Sequence, residues 1–183
     1  ILQGTANQIG TIAGLTAGGT LTVVDSTALT LAGKVSVGTG GTVDIRTTAG
    51  GVSQANTGTL IAGTLTSTGG IAGAAILQGT ANQIGTIAGV TTGGTLTVVD
   101  SNNLNLAGLV SVGSGGTVDI TTSSGGVTQA AGGTLVAGIL TSSGNIAGLA
   151  SLKGIANQIG AISNLTANGG LTAVDNMGLT LAK

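Results

Sequence analysis

The chain reads as an all-β protein, a right-handed parallel β-helix (β-solenoid) of about seven coils. Three observations predict this. The sequence of 1–75 recurs as 76–150: ILQGTANQIG begins at Ile1 and again at Ile76, and a degraded copy, SLKGIANQIG, begins at Ser151. Within each repeat the pattern is apolar-polar-apolar, the period of a strand with one buried face. Glycine punctuates the pattern, at 37 of 183 residues, while Pro, Cys, His and aromatic residues are absent.

Paired glycines divide the repeat. Cutting after Gly41, Gly70 and Gly94 leaves unequal units, 20–41, 42–70 and 71–94. Each is about one turn of a solenoid, so the spacing predicts about three coils per repeat. The first unit carries the triplets Leu21-Thr22-Val23, Leu29-Thr30-Leu31 and Val35-Ser36-Val37. Three short strands per coil predict a triangular cross-section. The second unit opens on Val43-Asp44-Ile45. β-Branched residues suit a pleated surface, and Gly or Asn supplies the positive φ of corners. The expected core is Leu21, Val23, Leu29, Leu31, Val35, Val37, Val43 and Ile45, continued by Val52, Leu60, Leu65 and Ile71. Ile9, Ile12 and Leu15 complete the third unit. No helical period survives the glycine density.

Divergence between copies agrees with this inside and outside. Residues 1–75 and 76–150 differ at 18 positions. Most fall at expected surface or corner sites, as in Thr27/Asn102, Ala28/Asn103, Thr30/Asn105, Lys34/Leu109 and Arg46/Thr121. Leu15/Val90 is the one conservative change within the expected core. Buried positions tolerate volume change badly, with Leu→Ala costing about 2–5 kcal/mol. The expected organisation is one solenoid segment, 1–183, with repeats 1–75, 76–150 and a partial 151–183. The chain begins without Met and stops within its third copy, so the expectation is a segment of a longer protein.

Composition excludes several functions. Four Lys and Arg residues and a net charge of -1 leave no basic surface for nucleic acid. No apolar run approaches the roughly 18 residues of a membrane span. Without Cys, disulfides and thiolate metal sites are excluded. An apolar content of 41% in regular triplets argues for a packed aliphatic core rather than disorder.

The candidate chemical sites each have a plain structural reading. Asp25, Asp100 and Asp175 recur after a TVV or TAV strand, and Asp44 and Asp119 recur similarly. A pair of carboxylates is the equipment of acid–base catalysis. The simpler reading makes Asp25 a turn residue and Asp44 an outward, solvated carboxylate. GTGGTVDI at 38–45 is weakly similar to a calcium-binding nonapeptide, but it recurs only once per repeat. Asn7-Gln8, Asn82-Gln83 and Asn157-Gln158 lie in the most faithful motif and read as local caps on turns. Flat threonine arrays bind ice when a Thr-x-Thr row occupies every coil; here the Thr-Leu-Thr triplets fall at positions that break such a row. Glycine pairs lack the Lys-Ser/Thr and helix of a phosphate loop. No catalytic, cofactor-binding or metal-binding residue is expected, and the chain is not expected to be an enzyme.

The phrases ANQIGTIAGLTAGGTLTVVDSTALTLAG (6–33) and GGVSQANTGTLIAGTLTSTG (50–69) resemble repeats of filamentous-haemagglutinin-family exoproteins. The resemblance implies a parallel β-helical passenger, type V secretion, and a secreted or bacterial cell-surface location with roles in adhesion or biofilm. The expected function is a structural or adhesive segment of a long extracellular fibre, an adhesin stalk or filament. Expected partners are a host-cell, matrix or glycan surface and other fibres, laterally or end to end. Absence of Cys and Pro suits a chain that folds without disulfides or slow prolyl isomerisation. The alternatives are a glycan- or ice-binding module and a polysaccharide-degrading β-helix enzyme.

Overall fold

The structure, a computed structural model, describes residues 1–182. All its regular elements are β-strands, paired in parallel and stacked as a β-solenoid of about eight turns. Each strand pairs with one that follows it by a turn of chain. The turn is uneven, short at Thr11↔Thr30 and longer at Lys34↔Thr59. Backbone bonds such as Ala32 N to Ile12 O at 2.9 Å and Thr42 N to Gly19 O at 2.8 Å join successive turns along the axis. At about 4.8 Å per rung, eight turns make a rod of roughly 38 Å.

Three short strand segments per turn are present, but they bond into two sheets, one of eleven strands and one of nine. The reason is at the corners. The strand Lys34–Thr47 runs on through the glycines at 38–41, so two neighbouring faces of the first copy belong to one sheet. Two long faces therefore dominate the cross-section. The other side is closed by short stretches with isolated bridges, such as Thr47↔Ile71↔Thr92. Along the nine-stranded sheet the inward residues are Leu21, Val43, Leu65, Ile87 and Leu106 on consecutive rungs. Along the eleven-stranded sheet they are Leu29, Val52, Ala75, Leu96, Val118, Leu140 and Ile162.

The repeat and the turn do not coincide as expected. Thr20 pairs with Thr42, and Thr42 with Thr64. The 20–41 unit is thus one turn, whereas the 42–70 unit overruns one. Between Leu21 and its counterpart Leu96 the chain makes seven half-turns, passing Leu31, Val43, Gln54, Leu65, Leu77 and Ile87 on alternate sheets. The repeat is three and a half turns rather than three, and the whole rod about eight turns rather than seven. Equivalent strands consequently change sheet. Thr20–Asp25 lies in the nine-stranded sheet and its counterpart Leu96–Asp100 in the eleven-stranded one. Leu29–Leu31 and Leu104–Leu106 exchange the other way.

This exchange works because both half-turns have the same interior. Leu21, Val23, Leu29, Leu31, Val35, Val37, Val43 and Ile45 are all buried in a single aliphatic cluster that runs the length of the rod. Val52, Leu60, Leu65 and Ile71 join it, as does Ile12, while Ile9 and Leu15 pack against it half-buried. The interior void beside Ile45, Leu65, Ala75 and Leu96 is only about 10 Å³, too small for a ligand. Corners are made by residues that accept positive φ: Gly38 and Gly113 hold the same corner in two copies at 77° and 73°.

Candidate functional site

Two features stand out against the aliphatic interior: a set of buried polar brackets, and the hydroxyl-rich outside. The brackets form where polar side chains occupy inward positions. Gln54 is the third residue of a Val-Ser-Gln triplet, a place filled by Leu31 one turn earlier. Asn82 and Asp100 are wholly buried with it.

Asn82 joins three successive turns. Its Oδ1 accepts from Leu60 N and from Gln54 Nε2, both at 2.7 Å. Its Nδ2 donates to Gln54 Oε1 and to Val99 O, both at 3.0 Å. Gln54 Oε1 also accepts from Gly79 N at 2.8 Å. Ser101 closes the far side, its Oγ and N donating to Asn82 O at 2.6 and 2.9 Å. A Cβ on Gly79 would strike the carbonyl of Gly58 and the Gln54 and Asn82 side chains, so the bracket requires glycine there. The second bracket reproduces the first: Gln129 Nε2 and Leu135 N donate to Asn157 Oδ1 at 2.7 and 2.8 Å, and Asn157 Nδ2 reaches Val174 O at 2.9 Å. At the start of the rod Asn7 Nδ2 reaches Val24 O at 3.0 Å. The asparagines are therefore not local turn caps; they act between turns. Gln8 and Gln83 beside them are exposed. Sequence reasoning passes over Gln54 and Gln129; the signal is a polar residue at the inward end of a triplet, present in both copies.

The aspartates fit the same scheme. Asp25 accepts Thr27 N at 3.1 Å, the expected turn contact, but it is also buried and reaches Ile9 N and Gly10 N of the preceding turn at 3.1 and 3.2 Å. Asp100 accepts Ile84 N at 2.8 Å and Asn102 N at 3.1 Å. Burial pushes the Asp100 carboxyl up to about 6, against the opposing pull of the Ile84, Asn102 and Ser101 N–H groups. Asp175 accepts Ile159 N at 2.7 Å. Asp44 faces outward and accepts Thr68 N of the next turn at 2.7 Å; Asp119 holds Ser143 N at 2.8 Å. Asp25 and Asp44 thus lie on opposite sides of the wall, inward and outward, and share no groove. Among the described residues no three His, Cys, Asp or Glu side chains cluster as a metal site would require.

The outer surface carries an ordered column. Thr20, Thr42, Thr64 and Thr86 are partners on consecutive rungs. Asn105, Thr128, Ser151 and Thr172 continue the column. The register thus aligns threonines that the sequence triplets leave out of line. The adjacent column does not match it: Thr22, Asp44 and Thr66 lead to Ala88. A shallow groove of about 420 Å³ follows one edge, lined by Arg46, Thr47, Thr48, Gly69, Gly70, Thr91 and Thr92. Its one charge is not repeated, since Thr121 replaces Arg46 in the second copy.

No family model, curated protein or solved structure matches this chain.

Proposed function

We propose that this chain is a rod-forming segment of an extracellular fibre, whose work is to span distance and present a weakly adhesive, nearly uncharged surface. The observation that supports it is the unbroken parallel pairing of strands along one axis around a closed aliphatic interior. Such a stack extends by adding turns, each contacting only its neighbours. The outside is rich in Thr, Ser, Asn and Gly, and electrostatic repulsion between rods is weak, which favours lateral packing or low-affinity contact with a cell, matrix or glycan surface. Separation of Asp25 from Asp44 across the wall favours a non-catalytic role. Placement on a bacterial surface, and secretion by a type V route, rest on the sequence phrases that resemble filamentous-haemagglutinin repeats.

Rod length tests the proposal. Chains carrying two, four and six copies should lengthen by about 17 Å per copy, three and a half turns, at constant cross-section. Small-angle scattering showing a compact particle whose radius grows with the cube root of mass would sink it. A second reading, ice binding, draws on the aligned Thr20–Thr42–Thr64–Thr86 column. Thermal hysteresis that disappears in Thr42→Val/Thr64→Val would support it; its absence in the unaltered chain leaves the rod alone.

A further inference from the structure

We propose that the buried Gln–Asn pairs are register locks: Gln54 with Asn82, and Gln129 with Asn157, determine which residues of one turn stack on which residues of the next. The need for such a lock follows from the interior itself. A strand slipped by two residues keeps its inward and outward parity, so burial penalises it little where every inward residue is aliphatic. Leu, Val and Ile, with an occasional Ala such as Ala75, fill both sheets, and none of them carries a directional contact that marks one rung from another. The two half-turns are also alike, as the exchange of sheets by equivalent strands demonstrates.

The Gln–Asn pair is specific where the aliphatic residues are not. Leu60 N, Gly79 N and Val99 O, on three successive turns, all find their partners in these two carboxamides rather than in a neighbouring strand. No buried side-chain nitrogen or oxygen among the described residues is left without a partner, so the network closes. A slip of two residues would separate the two carboxamides, 2.7 Å apart, and strand Leu60 N without a partner. A buried donor without a partner is costly, and a satisfied buried polar pair is a known means of fixing register. One lock per repeat means one every three and a half turns, on alternate sides of the rod.

The absence of native cysteine makes the test direct. Thr64 and Thr86 are partners on adjacent rungs, at a spacing a disulfide can bridge. Ala88 lies two residues beyond Thr86. Two reporters, Thr64→Cys/Thr86→Cys and Thr64→Cys/Ala88→Cys, are oxidised and the cross-linked fraction measured. With the lock intact, the first should exceed the second by about tenfold; with Gln54→Leu/Asn82→Leu added, the two should come within about twofold. A β circular-dichroism signature with the tenfold preference retained would overturn the proposal. If the double variant loses its β signature, Gln54→Leu alone is read by the same two reporters, and an unchanged preference there overturns it equally.

Discussion

At the scale of single residues, the structure shows how little chemistry the fold needs and how narrowly it is placed. Asn145 and Asn164 have positive φ, 70° and 49°, and stand where other copies have Gly70 and Gly89, at 83° and 92°. Asn is the side chain that best tolerates that region. Asn145→Gly should therefore be nearly neutral, while Asn145→Val should lose about 1–2 kcal/mol or more, read by denaturant unfolding. Asp100 makes the opposite kind of demand. Its carboxyl is held at about 6 in the fold against 3.8 for a free side chain, so the folded chain binds the proton more tightly. That contribution to stability is fully present below pH 3.8 and is lost as pH rises through about 6. Thermal midpoints should fall between pH 4 and pH 7, and Asp100→Asn should flatten the fall.

At the scale of strands and turns, the parity of the triplets is legible in the sequence and their closure is not. Leu21-Thr22-Val23 and Val43-Asp44-Ile45 point their outer two residues inward as the alternation requires. Turn length is obscured because glycine pairs mark several kinds of corner. Gly40-Gly41 lies within a strand that continues in the same sheet, while Gly69-Gly70 precedes the short bridge at Ile71. Counting between them joins unlike points of the turn. The polar brackets escape because their partners lie 17 to 28 residues apart, a distance set by the coil and not by local spacing. The core stacks are the elements most open to measurement. Leu104 is fully buried between Val127 and the rung below, and Leu104→Ala should cost about 2–5 kcal/mol. Leu109→Ala, at an exposed site occupied by Lys34 in the first copy, should change stability by less than about 0.5 kcal/mol.

At the scale of the whole molecule, the rod is a one-dimensional object, and its stability is a sum over turns and the contacts between adjacent turns. Among the described residues strands pair only with those of adjacent turns, so a weak rung weakens its neighbourhood rather than the whole. The buried brackets extend that reach to three turns at a time, around 79–84 and 154–159. Amide hydrogen exchange should find Leu60, Ile84, Leu135 and Ile159 among the slowest to exchange, with the exposed last turn around 171–182 opening first.

The odd count of half-turns has a consequence for anything that touches the rod from outside. A patch formed by one copy faces the opposite way in the next, and returns to the same side only after two copies, about 34 Å along the axis. A ligand or antibody recognising one patch would therefore decorate a long array in a zigzag, left and right in turn. Such an array has no front or back. It would present the same patch toward two opposite sides at once, as a strip of tape coated on both sides does.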